Sequence, residues 1–548
     1  MAFGRTILGV VLALAFLGPL LGPWLELAFD LRSFAAWGET SRILTLLGNS
    51  LSLFAFTSLI AVPWGTALAF ALERGGLRFR AFLRFGILMG IVLPVPVLAL
   101  AWQSVLAGIL PRFSLTPGDV LWQPWQRGLV PAAWVHAMVG IPWVAAFVSL
   151  SLRRGEAALE EEAWLLGGRP FVMRAVLAPR IVRAMFASML WLALQTGTEI
   201  AITDMMMVRT FAEETYTQLV IGGTGIRTSL ALIVPLQIVS TIVFAAIVMK
   251  WLRRGTHADG ELRNPRSFAI GKVQRWAGAM FAWGTLVLIF GVPFAALMRA
   301  AAEGSATPFS RFAAIFRTEG KCLLTSAVAA LGTGLLAASL ARRCCWAARN
   351  SAPFRTGLFA LCIALAFSPS PILGFGLKMW IGWLVDVESA LVSWELPPIR
   401  SALYDQPSPV PAMWAAGLRL FPLACLLLWP TISRIPRELL EQAELDGVNR
   451  GNRWRYVVKP ATDETFRFAV FLVAAMAMGE VGAAKIANPP FFDVYILRLF
   501  DQMHYGSEST VAALALVQWF LSASLGALWW ITRTTSSDGA RDSSLSPA

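Results

Sequence analysis

The chain has 548 residues, of which 57% are hydrophobic and only 14% are charged, and its formal net charge is +13. So few charged residues cannot cover a soluble globular protein of this length, and we expect an all-α integral membrane protein. An excess of Lys and Arg in short loops is typical of the cytoplasmic side of a membrane protein. We interpret the positive charge in this way and expect no nucleic acid as a partner.

Twelve apolar segments long enough to cross a bilayer follow one another along the chain. The first half contains segments 6–29, 43–72, 85–110, 129–152, 184–207 and 229–252. The second half contains segments 277–298, 323–340, 357–385, 412–431, 466–486 and 511–531. The first segment is too long for a signal peptide and has no evident cleavage site, so we interpret it as a transmembrane helix.

Basic residues are concentrated in alternate loops, at 74–84, in the two polar loops at 154–179 and 431–460, in a central linker at 253–275, and at 342–355. The other loops, such as 117–125 and 386–411, are richer in Trp, Pro and acidic residues. This pattern predicts that both termini and the linker face the cytoplasm. We therefore predict two six-helix domains, 1–252 and 276–533, with a polar tail at 534–548. An even number of spans gives both domains the same orientation, with a pseudo-two-fold axis along the membrane normal.

A polar segment between two apolar segments, residues 431–460, has the pattern of a short amphipathic helix. Its glutamates lie three residues apart with leucine and alanine between them, and Gly447 then interrupts the helix. Segment 154–179 has the same plan at an offset of 280. An internal repeat follows, because other residues keep this offset within one residue: Trp134 and Trp414, Pro142 and Pro422, Pro179 and Pro460, Glu199 and Glu480.

The sequence Glu441-Gln442-Ala443, followed by Gly447 and then by Pro460, resembles the cytoplasmic EAA loop of bacterial ABC importer permeases. The first copy is looser, because Leu166 stands where Asp446 supplies the acidic residue before the glycine. The resemblance implies two permease domains fused head to tail. It also implies that each loop docks onto an ATPase subunit through coupling residues: Glu161, Ala163 and Gly167 in the first copy, and Glu441, Ala443, Asp446 and Gly447 in the second.

The chain has no GxxxxGK[ST] sequence, since Gly320-Lys321 is followed by Cys322. We therefore expect a transport subunit without catalytic residues or a cofactor of its own. The resemblance implies that ATP and Mg²⁺ bind to two separate ATPase subunits on the cytoplasmic side.

The C-terminal region contains Gly479-Glu480-Val481-Gly482-Ala483, then Asn488-Pro489-Pro490, then His504-Tyr505-Gly506. These residues resemble the fused permeases of the iron(III) importer family. That resemblance implies a bacterial inner membrane location, a periplasmic binding protein and ferric iron as cargo. Thiamine or another small solute stays open, as does a twelve-helix secondary transporter, although a secondary transporter would not need the matched loops.

Four charged residues lie in predicted spans: Glu199 and Asp204 in the fifth, Glu480 and Lys485 in the eleventh. A charge at the centre of a span costs roughly 2.5 to 3.5 kcal/mol, so we expect these side chains to face the protein interior. We predict that they flank a translocation path or cap broken helix ends. For Asp204 and Lys485 two alternatives stay open, a pair across the axis at an outer gate or separate positions in the interfacial water.

Two proline pairs, Pro94-Val95-Pro96 and Pro369-Ser370-Pro371, predict kinks in the third and ninth spans. Each kink would serve packing or line the path. The three histidines and five cysteines are not spaced as metal ligands or disulfides, so we predict no metal site and free thiols.

Overall fold

The structure is a computed structural model, and every segment that it describes is helical or a connecting turn. The described residues are 2–28, 31–109, 125–153, 157–221, 225–254, 271–303, 307–390, 400–449, 451–489 and 492–542. Several predicted segments therefore fall partly outside them: linker residues 255–270, loop residues 117–124, 154–156 and 391–399, Phe29 and Leu110 at the ends of two predicted spans, and the chain end 543–548.

The helices of the first half are numbered in chain order. They are α1 (Ala2–Leu12), α2 (Gly18–Ala28), α3 (Thr40–Arg74), α4 (Arg80–Val92), α5 (Val95–Ile109), α6 (Leu129–Arg153), α7 (Ala157–Phe171), α8 (Ala178–Thr198), α9 (Ala201–Met205), α10 (Phe211–Ile221) and α11 (Gly225–Arg254).

The helices of the second half continue the numbering. They are α12 (Lys272–Leu286), α13 (Val292–Ala302), α14 (Pro308–Arg349), α15 (Ala352–Phe367), α16 (Ser370–Ala390), α17 (Val410–Ser433), α18 (Arg437–Leu445), α19 (Lys459–Ala477), α20 (Gly482–Ala487), α21 (Tyr495–Tyr505) and α22 (Glu508–Asp542).

Within the described residues, nine helices are long and apolar enough to cross a membrane, or eleven if each of two bent pairs is one span. They match eleven of the twelve predicted segments. The exception is segment 466–486, where α19 begins with charged residues and stops after Ala477. An all-helical protein with many candidate spans is thus confirmed, whereas the count of twelve and the pseudo-two-fold axis stay predictions.

Both predicted proline kinks are sharp breaks. The chain bends by 98° between α4 and α5 and by 112° between α15 and α16. After each break, the carbonyl oxygen of the first proline accepts the first hydrogen bonds of the next helix, which are donated by Val97 and Leu98 to Pro94, and by Ile372 and Leu373 to Pro369. The kink prediction is confirmed at both positions.

Two predicted boundaries are wrong. The predicted fifth span ends at Met207, but α8 stops at Thr198 and the chain restarts as α9. The predicted eleventh span is interrupted in the same way between α19 and α20. At the chain end, the backbone of the predicted polar tail is helical as far as Asp542, because it continues α22.

The first helix of each half packs against the opposite half. The ring of Phe16, between α1 and α2, lies 4.5 Å from the ring of Phe421 in α17. Nearby, the Trp414 indole donates a hydrogen bond of 2.6 Å to the Ala15 carbonyl. In the reverse direction, the Trp64 indole of α3 donates to the Thr285 hydroxyl of α12 at 3.0 Å. The two halves of the sequence therefore hold each other through exchanged helices.

Glycine allows α2 and α16 to approach closely. A Cβ at Gly376 of α16 would overlap the carbonyl oxygen of Pro19 and lie 2.9 Å from Pro23 Cδ, whereas a Cβ at Gly382 of the same helix meets nothing within 4 Å. Small residues at such contacts are typical of helix pairs in membranes.

We predict that Gly376→Ala lowers the stability of the detergent-solubilised protein, because overpacking typically costs about 1–3 kcal/mol. Gly382→Ala is the matched control and should leave the thermal unfolding midpoint unchanged or slightly raised. The midpoint of each purified variant tests this, and equal midpoints for the two variants would contradict the packing described.

Candidate functional site

A cavity of about 480 Å³ lies among helices of both halves. We call the end of the helix bundle that carries α7 and α18 the loop end. Toward it the cavity is lined by large apolar side chains, among them Phe147, Phe186, Trp191, Phe359 and Trp429. The opposite end, which we call the roof, is polar and charged: Gln195, Thr198, Glu199, Ser370, Arg419 and Glu480. Phe186 and Glu199 are thirteen residues apart, so the cavity extends about 20 Å along α8 at 1.5 Å per residue.

The roof is built where four helix breaks meet, before α5, α9, α16 and α20. Glycine allows breaks from different halves to touch. A Cβ at Gly479 would lie 2.9 Å from the Cβ of Pro94. A Cβ at Gly482 would lie 2.9 Å from the Cβ of Ser370 and 3.2 Å from Cδ1 of Ile200. The two halves are therefore in direct contact at the level of the roof.

Glu199 and Glu480 each cap the short helix that follows. Glu199 accepts hydrogen bonds from the backbone N–H groups of Ala201 at 2.6 Å and Ile202 at 3.1 Å. Glu480 accepts from the N–H of Ala483 at 3.1 Å and from the hydroxyl of Ser370. The first N–H groups of a helix have no partner within the helix, and a carboxylate satisfies them and matches the helix dipole. Of the two predicted roles, capping is therefore observed for both glutamates, and both also line the cavity.

Arg419 of α17 lies at the roof and connects the halves. Its Nη2 donates to the Thr198 hydroxyl at 2.6 Å, and its Nη1 is 3.4 Å from the Ser368 carbonyl oxygen. Glu199 and Glu480 are both near enough to attract its charge. His136 Nε2 approaches Glu199 to 3.9 Å, which is too far for a hydrogen bond. The roof thus combines two carboxylates with one guanidinium.

Arg419 was not predicted, because only charged residues with a charged counterpart in the other half were taken as candidates. At the offset of 280, the position of Arg419 corresponds to Val139, an apolar residue that also lines the cavity. The available signal was a single arginine inside the apolar segment 412–431, where a charge is costly unless it faces the protein interior.

The predicted pair between Asp204 and Lys485 is wrong. Lys485 Nζ contacts both carboxylate oxygens of Asp501, at 2.6 and 2.8 Å. Asp204 Oδ2 lies 3.2 Å from His504 Nε2. Asp501 and His504 are three residues apart on α21, so one face of that helix provides both partners. Neither Asp204 nor Lys485 is among the residues that line the cavity.

The two loop helices expose leucines at matching positions. The side chains of Leu159 and Leu439 are 42% and 47% exposed, and those of Leu165 and Leu445 are 87% and 88% exposed. Each pair is related by the offset of 280. On both helices the predicted coupling alanine, Ala163 or Ala443, is buried, and the predicted glutamate, Glu161 or Glu441, is exposed. Leucines so exposed at the end of a protein indicate a binding surface.

A left-handed glycine breaks α7 internally and follows the end of α18, although the two are not at matching positions. Gly447 has φ +79°, with hydrogen bonds from Gly447 to Glu444 and from Val448 to Ala443, which place Asp446 at the C-cap of a Schellman turn. In the first copy Gly167 has an extended φ of −164°, and the positive φ of +63° belongs to Gly168. The left-handed conformation there belongs to the second glycine, whereas a Cβ at Gly167 would lie 2.7 Å from the Cβ of Phe171.

We predict that Arg419→Met destabilises the protein, because the Thr198 hydroxyl and the Ser368 carbonyl lose their donor and the two roof carboxylates lose a nearby positive charge. Losing hydrogen bonds to a charged group typically costs about 1.5–3 kcal/mol. Arg467→Met, at an exposed position on α19, is the control and should have little effect. Thermal unfolding midpoints in detergent compare the two, and a midpoint for Arg419→Met at or above that of the control would contradict the role of Arg419.

Comparison with known proteins gives one distant similarity, and no protein-family model matches the chain. Over 283 residues, 50% of this chain, it is 24% identical to the Fe(3+)-transport system permease protein FbpB 2 of Haemophilus influenzae. The match covers 52% of that protein, so the chain spans about half the length of the curated relative it matches. Together with the many apolar helices, the similarity supports a multi-pass membrane protein related to transport permeases.

Proposed function

We propose that the chain is the permease subunit of an ATP-driven ABC importer. The observation that carries the proposal is the pair of loop helices, which expose leucines at equivalent positions on one end of the bundle. A single amphipathic surface helix is common in membrane proteins. Two loop helices that share the same buried alanine and the same exposed leucines are suited to bind two copies of one partner. A pair of ATPase subunits related by a two-fold axis is such a partner.

The proposal assigns the loop end to the cytoplasm of a bacterial cell, with the protein in the inner membrane and both termini on the cytoplasmic side. The basic loops of the sequence support this orientation. A periplasmic binding protein would deliver the cargo at the opposite end. The two domains, 1–252 and 276–533, would then share the ATPase pair equally.

In this proposal the cavity is the cytoplasmic part of the translocation path and the roof is its closed gate. Glu199, Glu480 and Arg419 would meet the cargo when ATP binding separates the halves at the roof. Asp204 and Lys485 lie outside the cavity lining, and the proposal assigns them to the entrance that faces the binding protein.

Ferric iron is the cargo that we propose first, because the name of the relative from Haemophilus influenzae gives Fe(3+) as its cargo. The described residues contain no group of three His, Cys, Asp or Glu side chains arranged to hold a metal ion. Iron would therefore pass through without a resident site, and recognition would lie on the binding protein. The aromatic wall of the cavity favours thiamine or a similar organic solute as the second candidate.

The test is recovery of the partner from native membranes. Wild-type chain, purified in a mild detergent, should bring down an ATPase with a P-loop, identified by mass spectrometry. The double variant Leu165→Asp with Leu445→Asp should lose the ATPase while it keeps its thermal midpoint, because both side chains are exposed. Tyr505→Asp, which changes a similarly exposed side chain at the opposite end, should retain it.

Failure to recover an ATPase with the wild-type chain, under conditions that preserve other ABC complexes, would contradict the proposal. The twelve-helix secondary transporter would then be the class to test, by measuring uptake driven by an ion gradient.

A further inference from the structure

The first loop helix is fastened to the bundle by a buried ion pair. Arg74, the last residue of α3, donates from both Nη atoms to the two carboxylate oxygens of Glu160 in α7, each at 2.8 Å. The Arg74 side chain is buried, and its Nη2 is also 3.4 Å from the carbonyl oxygen of Leu152 near the end of α6. Arg180, near the start of α8, lies 3.8 Å from the same carboxylate. Arg74 thus links the loop helix to α3 and α6, and α8 places a second positive charge near the same carboxylate.

The second loop is fastened through its backbone. Arg349, the last residue of α14, donates to the carbonyl oxygens of Ile432 in the last turn of α17, at 3.0 Å, and of Ile435, just before α18. The residue that corresponds to Glu160 at the offset of 280 is Leu440, whose side chain is uncharged. Both loops are therefore held by an arginine at the end of a long helix, which contacts the Glu160 side chain in the first copy and backbone carbonyl oxygens in the second. Within the second loop, Glu444 of α18 also pairs with Arg453 at 2.6 Å.

The helices that Glu160 joins form one wall of the cavity. α3 packs along α6 and α8, and those two helices supply Val139, Trp143, Phe147, Phe186 and Trp191 to the lining. A displacement of α7 would be transmitted to this wall through the ion pair of Arg74 and Glu160. A bidentate contact between arginine and a carboxylate fixes the relative orientation of the two side chains as well as their distance.

We propose that Arg74 and Glu160 are positioning residues that transmit movement of the first loop to the cavity wall. This inference rests on the proposed function and adds an asymmetry to it. The first loop acts through a side-chain ion pair that a charge change can break. The arginine contact of the second loop uses backbone carbonyl oxygens, so a charge change in a loop side chain does not remove its acceptors.

The experiment uses the native complex and a natural thiol as reporter. Cys362 is half-buried and lines the cavity, whereas Cys344, Cys345 and Cys425 are buried. Its reaction rate with N-ethylmaleimide, measured by peptide mass spectrometry with and without ATP and vanadate, reports the state of the cavity. In wild type we expect the two rates to differ by at least about fivefold, the lower end of ordinary coupling between sites.

Arg74→Gln should bring the ratio of the two rates close to one while the ATPase still co-purifies. The charge exchange Arg74→Glu with Glu160→Arg should restore much of the ratio, which a general loss of stability would not do. Arg84→Gln is the matched control: it removes a partner of buried Glu73 at the same end of α3, at 2.7 Å, without touching the loop helix.

An unchanged ratio in Arg74→Gln with the ATPase bound would overturn the inference, as would an equal loss in Arg84→Gln. If Arg74→Gln does not reach the membrane, Glu160→Gln removes the same pair from the loop side and is interpreted in the same way. Failure of the proposed function is distinguishable, because the wild-type chain would then bring down no ATPase at all.

Discussion

The structure depends on how backbone groups are satisfied where helices break inside an apolar bundle. An unpaired N–H away from water is costly, so an interrupted helix needs an acceptor at its restart. Glu199 and Glu480 supply that acceptor for α9 and α20, and each carboxylate comes from the residue at which its own helix breaks. Because four breaks meet at one level, the two capping charges also lie together at the roof of the cavity. Capping and lining are therefore two results of the same arrangement.

The two ends of the bundle are organised differently. At the roof the halves touch through glycine, proline and a shared arginine, and the exchanged first helices hold them together along the bundle. At the loop end each half presents its own helix with exposed leucines, anchored by its own arginine. The two halves are thus joined at the roof, and each presents an equivalent surface at the loop end. This arrangement is consistent with the proposal that a pair of partner subunits moves the two halves.

Much of this could be predicted from composition and the internal repeat. Apolar length predicted eleven candidate spans of the described residues, if each bent pair is counted as one. The proline pairs predicted both sharp bends, and the repeat identified Glu199 and Glu480 as equivalent. Charged residues that occur in only one half were missed. Arg419 has no charged counterpart in the first half, and Glu160 corresponds to a leucine in the second. The partners of Asp204 and Lys485 depend on how α21 packs, which spacing along the chain does not determine. Which of two adjacent glycines adopts a left-handed conformation likewise depends on the local turn.

The most direct test of the central claim is the mass of the intact complex extracted from its native membrane, measured by native mass spectrometry. The account predicts one copy of this chain with two P-loop ATPase subunits, because the chain carries two equivalent loop surfaces. A chain that is recovered without an ATPase, under conditions in which other ABC complexes stay whole, would contradict it. So would a complex with a single ATPase subunit, because one of the matched surfaces would then have no partner.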